Sequence, residues 1–430
     1  MENVVRRIVI EKLYDLYDYD ITFDKGGVTL ITGPNGYGKT TILNIIKNAL
    51  DLKFMYFKDL LFEKIEIHFL DKKDGTKLVI TKVPVKETSI FTDEENLFNV
   101  KFNFYYYNSK RPKDTYTLID SSDNIHFDFL NYLIMSEKGS RLEDDLRKYK
   151  DSGKTSAVLR QKFRNYSMFL NDIKSLFIRE QRILSGKNSD EDNPEKYTVT
   201  QLAEDLKARY VEQKNRYSDE SQTIDSSFIK RLLNRKFKLY DQKEYYKRAE
   251  EINKIVESYK RFGLTSNFGN IDEYDEEFKP ALSLYIEDMF DKISLYDDFF
   301  KKLALFNQFV NGKVLSNKTM ILDERNGIRF ISNSRREVPL HKLSSGEQNM
   351  IILFYRLVFE TEPNTLLLID EPENSLHVEW LQKMLSDYLV MESNLDCQMI
   401  IATHSPTFIN GHWDIAYDLY GGSYQDFMES

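Results

Sequence analysis

Cysteine is nearly absent from this sequence. Cys397 is the single cysteine among 430 residues, which excludes an internal disulfide framework and any zinc site built from several cysteines. The N-terminus also lacks the apolar stretch of a secretory signal. The longest apolar runs, around Met350–Phe359 and Leu366–Ile369, are far too short to span a bilayer. These absences predict a cytoplasmic protein without a membrane partner.

The charge balance lacks the basic excess of proteins that coat nucleic acid. Asp and Glu number 69 and Lys and Arg 60, which gives a net charge of −9. Nucleic acid therefore remains a partner only through a local basic patch. Hydrophobic residues make up 41% of the chain, enough for a sizeable core, and no long segment has the composition of a disordered one.

Strand patterns occupy both ends of the chain, whereas the middle is mostly helical. Strands are predicted at Ile21–Phe23 and Val28–Thr32, and strand patterns return towards the C-terminus. We therefore predict an α/β fold that carries a compact helical insertion. The predicted boundaries are 1–119, 120–312 and 313–430.

A glycine-rich loop follows the strand pattern Val28–Thr32. Residues 33–40 fit the spacing G-x-x-x-x-G-K-[S/T], and a helical pattern begins directly after them. In such a loop the backbone N–H groups turn towards phosphate oxygens, and the helix N-terminus adds positive potential. We expect Lys39 to reach the β- and γ-phosphates of ATP and Thr40 to ligate Mg²⁺. The other residues predicted to contact the nucleotide here are Asn35, Gly36, Tyr37, Gly38 and Thr41.

Two acidic residues end an apolar strand pattern further along the chain. Asp370 and Glu371 directly follow Leu366–Ile369. Asp370 is predicted to hold Mg²⁺, directly or through water, and Glu371 to polarise the attacking water. A strand that ends in Asp-Glu is common, so the pair alone is a moderate signal. It indicates a nucleotide site only together with the glycine-rich loop at residues 33–40.

A helix start and a histidine complete the candidates. Ser344 and Glu347 have the spacing of a capping box and precede an apolar helical pattern. The N–H groups of such a helix start can bind an anion. His404 ends the strand pattern Ile400–Ala402 and follows the acidic strand by one helix.

These segments, in this order, resemble the ABC ATPase superfamily over about 1–50, 176–182 and 313–415. The resemblance implies a P-loop nucleotide-binding domain with a mixed sheet and flanking helices. Ser345 stands where the family usually has glycine, and Glu347 where transporters have glutamine. Both differences resemble the branch that contains SMC, RecF and OLD proteins.

The resemblance also implies roles by position. In this family two nucleotide domains close on two ATP molecules, so Ser344 and Gly346 of one subunit would contact ATP held by another. His404 resembles the switch histidine, Asn374–His377 fills the D-loop position, and Gln181 is the candidate for the metal contact of the Q-loop. The implied catalytic residues are Lys39, Glu371 and His404. The implied metal ligands are Thr40, Asp370 and Gln181.

Within this branch the chain most resembles the AriA family, the ATPase subunits of PARIS anti-phage systems, with the PtuA family of Septu as the competing match. The resemblance implies an ATP-sandwich dimer or higher homo-oligomer, a Toprim-type nuclease effector, and a viral trigger protein such as an acidic DNA mimic. OLD proteins carry a Toprim nuclease after the ATPase. Little chain follows His404, so we expect the effector to be a separate polypeptide.

Other functions stay open at this point. A RecF-like ATPase for DNA repair or DNA loading is the main alternative, whereas the long insertion argues against a transporter domain. A basic segment of the insertion could bind nucleic acid or an acidic protein, could pair with the acidic stretch Asp272–Asp298, or could simply present solvated faces. Its basic residues are Lys230, Arg231, Arg235, Lys236, Lys238, Lys243, Lys247 and Arg248.

Overall fold

A computed structural model describes residues 4–23, 27–70, 75–84, 98–107, 109–118, 163–171, 173–179, 198–234, 236–264, 273–315, 317–373 and 378–423. The chain forms two compact units. The first unit consists of Met1–Pro194 and Thr361–Ser430, and the second of Glu195–Glu360. The domain boundaries predicted from sequence, 1–119, 120–312 and 313–430, stay a prediction.

The first unit contains an antiparallel sheet with the strand order β2-β1-β4-β5-β6-β7. Its alternating sequence explains why one face is buried, since successive side chains of a strand point to opposite faces. In β4, Ile65, Ile67 and Phe69 are buried while the residues between them face outwards. β4 and β5 pair in an antiparallel arrangement, from Lys64 opposite Thr81 to His68 opposite Lys77. The strands are β1 (Val4–Leu13), β2 (Tyr17–Thr22), β4 (Lys64–Leu70), β5 (Lys77–Pro84), β6 (Phe98–Tyr105) and β7 (Asp114–Leu118).

A second sheet of the same unit has the order β15-β14-β3-β13-β12-β8. All its neighbours pair in parallel except β14 and β15. Every residue of β3, β12 and β13 is buried, which is why these strands are short, mostly apolar runs. The strands are β3 (Val28–Thr32), β8 (Lys174–Ile178), β12 (Thr365–Asp370), β13 (Gln398–Ala402), β14 (Ala416–Asp418) and β15 (Gly422–Ser423).

Helices cover these sheets within the first unit. The apolar side of α1, formed by Ile42, Leu43, Ile45 and Ile46, is fully buried and lies against β12 and β13. This contact fixes the start of α1 beside the ends of the central strands. The helices are α1 (Lys39–Leu50), α2 (Tyr56–Asp59), α3 (Arg164–Leu170), α9 (Val378–Leu395) and α10 (Pro406–Ile409).

The second unit is mostly helical, with a small sheet of order β11-β10-β9. Its longest helix, α4, packs along α6 and β10. Among the described residues, none of the helices is long and apolar enough to cross a bilayer. The elements are α4 (Val199–Asn234), α5 (Gln242–Lys260), α6 (Lys279–Ser294), α7 (Asp297–Phe309), β9 (Lys318–Asp323), β10 (Gly327–Ser332), β11 (Glu337–Val338) and α8 (Ser345–Tyr355).

Candidate active site

The candidate residues of the first unit meet at one edge of the parallel sheet. Strands β3, β13, β12 and β8 are neighbours in that order and run in the same direction. Their carboxyl ends therefore lie side by side, the usual place for a ligand in such sheets. The phosphate loop follows β3, Asp370 ends β12, His404 follows β13, and Arg179 follows β8.

The glycine-rich loop has a backbone that only glycine adopts easily. Gly36 and Gly38 have φ values of 90° and 85°, in the left-handed region that most residues avoid. A Cβ on Gly38 would also lie 3.0 Å from Leu13 Cδ2. Because Gly38 directly precedes α1, this turn aims the first N–H groups of the helix into the loop.

Lys39, the first residue of α1, is buried. Its Nζ donates to the carbonyl oxygens of Gly33 at 2.8 Å and Pro34 at 3.1 Å, so the side chain folds back across the loop. A buried ammonium requires hydrogen-bond partners and favours a nearby negative charge. The cation, the glycine backbone and the helix start together fit the phosphates of a nucleotide.

The phosphate loop and the acidic strand are joined by a hydrogen bond between two predicted metal ligands. Thr40 Oγ1 donates to Asp370 Oδ1 at 3.0 Å. Burial, reinforced by the nearby Glu371 carboxylate, raises the pKa of Asp370 to about 6, against the opposing effects of Thr40 and Arg179. A hydroxyl and a carboxylate at this spacing are the hard oxygen ligands that Mg²⁺ prefers. These residues therefore fit a magnesium ion.

Glu371 and His404 approach each other at the same edge. The backbone N–H of Glu371 donates to the Ala402 carbonyl at 2.9 Å, which ties the end of β12 to the end of β13. Glu371 has a φ of 47°, an unusual value for a residue with a side chain and one that occurs often at functional sites. His404 Nδ1 lies 3.5 Å from Glu371 Oε1. The predicted water-polarising carboxylate and the predicted switch histidine are thus in contact.

Glu373 is a site residue that the sequence reasoning missed. It is buried, and its Oε1 accepts hydrogen bonds from Thr403 Oγ1 at 2.6 Å and from the backbone N–H of His404 at 2.9 Å. The same oxygen lies 3.3 Å from His404 Nδ1. Glu373 therefore positions the histidine segment relative to the acidic strand. The sequence feature that could have indicated it is a third acidic residue, two positions after Glu371.

Two further residues near the loop were missed. Tyr14 shares a hydrogen bond of 2.7 Å with Thr41, at the first turn of α1. Arg179 Nη2 donates to Asn44 Oδ1 at 2.7 Å, and its charge lowers the pKa of Asp370 against the larger effect of burial. An isolated tyrosine or arginine carries no motif, so only the fold shows these contacts. Gln181 and Asn374–His377 lie outside the described residues.

Ser344 and Gly346 belong to the second unit. The predicted capping box is present at the start of α8: Ser344 Oγ accepts from the Glu347 N–H at 3.3 Å, and Glu347 Oε2 accepts from the Ser344 N–H at 2.9 Å. Lys318 also pairs with Glu347. Burial opposes ionisation of Glu347, but hydrogen bonds from Lys318 and Ser344 outweigh it and lower its pKa. Gly346 lies in the first turn of α8.

Comparison with known proteins gives one family and several similar folds. The family model for the AAA ATPase domain matches residues 6–409. A comparison with curated proteins found no match.

Among solved structures, the chain is similar to the Smc head domain with an extended coiled coil from Pyrococcus furiosus, bound to the C-terminal domain of ScpA. The identity is 15%, 95% of this chain and 91% of that chain are covered, and the TM-score is 0.37. It is also similar to the SMC head domain from Thermotoga maritima, with 13% identity, coverage of 97% and 94%, and a TM-score of 0.34. Because the family model spans nearly the whole sequence, this chain belongs to the AAA ATPase domain family.

Proposed function

We propose that this chain hydrolyses ATP to ADP and phosphate as an ABC-type ATPase. The hydrogen bond of 3.0 Å between Thr40 and Asp370 carries the proposal. It brings the phosphate loop and the acidic strand together where a nucleotide and its magnesium ion would sit. The ion, when bound, would neutralise charge on the phosphate oxygens.

The surrounding side chains supply the remaining roles. Lys39 binds the β- and γ-phosphates, with the loop residues 35–38 and Thr41 around them. Glu371 accepts a proton from the attacking water, and His404 contacts the γ-phosphate. The contact between His404 and Glu371 supports these two roles, because a side chain that contacts the γ-phosphate would then lie next to the one that activates the water. Gln181 remains our proposal for a third metal contact.

We further propose that the site is completed by a second copy of the chain. Ser344 is exposed at the start of α8, and Gly346 is partly exposed. This supports a contact in which the N–H groups at this helix start reach ATP held at Lys39 of another subunit. An ATP-sandwich dimer, or a higher homo-oligomer, is the assembly that this arrangement requires.

The cellular role that we propose is anti-phage defence in the cytoplasm, of the AriA or PtuA kind. The ATPase would hold a separate Toprim-type nuclease and release it when it detects a viral protein. Exposed apolar side chains of the second unit support a docking role, since such residues often mark interaction surfaces. They are Ile229, Leu233, Leu239 and Phe278.

Five exposed lysines, which we call the lysine set, support an acidic partner such as a DNA mimic. They are Lys230, Lys236, Lys238, Lys243 and Lys247. Lys238 also pairs with the exposed side chain of Glu244 at 3.0 Å. Arg231 and Arg248, from the same basic segment, contact the buried residues Asp288 and Tyr240, and Arg235 lies outside the described residues. Arg231 Nη2 donates to Asp288 Oδ2 at 2.7 Å, and Arg248 lies over the Tyr240 ring at 4.3 Å. The lysine set equally favours the second candidate, a RecF-like DNA ATPase, which predicts salt-sensitive binding to DNA ends or gaps.

Substitution of Lys39 tests the proposed ATPase. We expect Lys39→Ala to abolish ATP binding and phosphate release, because the cation that contacts the phosphates is lost. Calorimetric titration with Mg-ATP and a phosphate-release assay measure both effects. Lys53→Ala is the matched control, since Lys53 is an exposed lysine that follows the same helix. Unchanged nucleotide affinity in Lys39→Ala would contradict the proposal.

A further inference from the structure

The first strand carries two consecutive arginines on one face. Side chains alternate along a regular strand, but the pairing of β1 with β4 shifts by one residue between Val5 and Arg7. This irregularity is a β-bulge, which redirects side chains and often lies near functional sites. Arg6 and Arg7 are both exposed, whereas Val5 and Ile8 on either side are buried.

The two arginines line a pocket of about 310 Å³. Thr22, His68 and Thr76 also line it, and none of the described residues that line it is a carboxylate. Two guanidinium groups, an imidazole and two hydroxyls provide hydrogen-bond donors, and the Arg7 guanidinium is already paired with Asp20. Such a set matches the oxygens of an anion, because arginine contacts phosphate oxygens through the N–H groups of its planar guanidinium.

Acidic neighbours hold these donors in place. Arg7 Nε and Nη2 both bond the carboxylate of Asp20 on β2, which fixes the plane of the guanidinium. His68 Nε2 lies 3.0 Å from Glu66 Oε2, and Lys77 bonds the same oxygen at 2.8 Å. The pocket is therefore built from oriented side chains, in the way that binding sites are pre-organised.

The pocket is distinct from the nucleotide site. Arg6 and Arg7 lie near the start of β1, whereas Tyr14, just beyond the other end of that strand, bonds Thr41 at the start of α1. Six residues of β1, Ile8 to Leu13, separate Arg7 from Tyr14, a span of roughly 20 Å. A ligand in this pocket is thus not the ATP bound at Lys39.

We propose that the pocket formed by Arg6, Arg7, Thr22, His68 and Thr76 binds a phosphate group. A free phosphorylated small molecule and the backbone of a nucleic acid both supply this chemistry. The proposal does not depend on ATP hydrolysis, because none of these residues belongs to the nucleotide site.

Binding to the full chain tests the proposal, and every chain compared, including the one with wild-type arginines, carries Lys39→Ala so that the nucleotide site does not hold the phosphate probe. Inorganic phosphate is titrated by calorimetry, and a fluorescein-labelled single-stranded oligonucleotide without a terminal phosphate is followed by anisotropy. The test variant is Arg6→Gln with Arg7→Gln. The matched control is Arg335→Gln with Arg336→Gln, another pair of adjacent exposed arginines. Thr22→Val removes one hydroxyl at nearly constant shape and serves if the test variant is destabilised.

We expect the chain with wild-type arginines to bind at least one probe. The Arg6/Arg7 variant should bind that probe about tenfold or more weakly, whereas the Arg335/Arg336 variant should bind it with unchanged affinity. Thr22→Val should weaken it by a few-fold. Binding of phosphate identifies a small-molecule ligand, and binding of the oligonucleotide alone identifies a nucleic-acid backbone. Binding of neither probe, or equal loss in both arginine variants, would overturn the proposal.

Discussion

At the carboxyl edge of the parallel sheet, charged side chains are packed together; in the basic segment of the second unit, most are spread over the surface. Lys39, Asp370 and Glu373 are buried, and each bonds a residue from another segment or from the loop. The lysine set is exposed. The exceptions are Arg231, which pairs with the buried Asp288, and Arg248, which lies over the Tyr240 ring.

We propose that this difference distinguishes the residues of the ATPase site from residues that recognise a partner. Burying a charge costs free energy unless it is paired, so a cluster of buried ionisable groups at a sheet edge indicates a functional site. Exposed lysines cost little and contribute little to stability, but they set the local potential that an acidic partner meets. The two regions should therefore respond differently to substitution.

The largest effect is expected at Glu371. Glu371→Gln should lower phosphate release by about 10²-fold or more while ATP still binds, because only the proton acceptor for the attacking water is lost. Phosphate release and nucleotide affinity are measured on the same preparations. Glu63→Gln is the control, since Glu63 is an exposed carboxylate of the same unit. Wild-type turnover in Glu371→Gln would rule out the role assigned to that carboxylate.

At Asp370 we expect a substitution to abolish turnover but to increase the free energy of unfolding. Its folded pKa of about 6 lies above the usual 3.8, so between these values the folded state binds more protons than the unfolded state. The free energy of unfolding should then fall as pH rises from about 4 to about 6. Asp370→Asn should remove this contribution and stabilise the nucleotide-free protein at pH 7 by about 1–3 kcal/mol, while turnover is lost.

Urea denaturation at several pH values between 4 and 7.5 measures the change. Asp59→Asn serves as the comparison, because Asp59 lies in the short helix α2, away from the acidic strand. An identical pH dependence of the unfolding free energy in wild type and Asp370→Asn would show that the Asp370 carboxylate does not destabilise the folded protein.

Much of this fold follows directly from the sequence. The short apolar strands β3, β12 and β13 and the capping box at Ser344 were predictable, because each rests on a local pattern. Strand β2 runs from Tyr17, earlier than predicted. Its sequence alternates buried-facing aromatic residues with aspartates, which are usually read as turn formers.

The missed parts depend on contacts between distant segments. Nothing local indicates that Glu373 accepts from Thr403, or that Arg179 bonds Asn44. Likewise, the sequence alone does not show that Arg231 faces Asp288 whereas Lys230 faces solvent. Such choices are set by tertiary packing and by which side of a helix faces its neighbour.

The smallest effect on stability and turnover is expected from the lysine set. Replacing all five lysines with glutamate should leave basal ATPase activity unchanged and alter the free energy of unfolding by only about 1 kcal/mol, yet weaken binding of an acidic protein or of DNA. Arg231→Ala, by contrast, should cost about 2 kcal/mol, because it leaves Asp288 buried and unpaired. Denaturation, ATPase assays and partner binding are measured on both variants. They show whether the exposed lysines affect binding alone while the paired Arg231 affects stability.

The composite site is the central claim, and mixing two inactive variants tests it most directly. Lys39→Ala lacks the phosphate contact, and Ser344→Arg blocks the helix start that we place against a neighbour's ATP. In a mixed assembly, the Ser344→Arg chain supplies an intact Lys39 and the Lys39→Ala chain an intact Ser344. We predict that each variant alone is inactive and that the mixture recovers phosphate release. Full activity of Ser344→Arg alone, or no recovery on mixing when native-gel analysis shows that the chains have exchanged, would contradict the account.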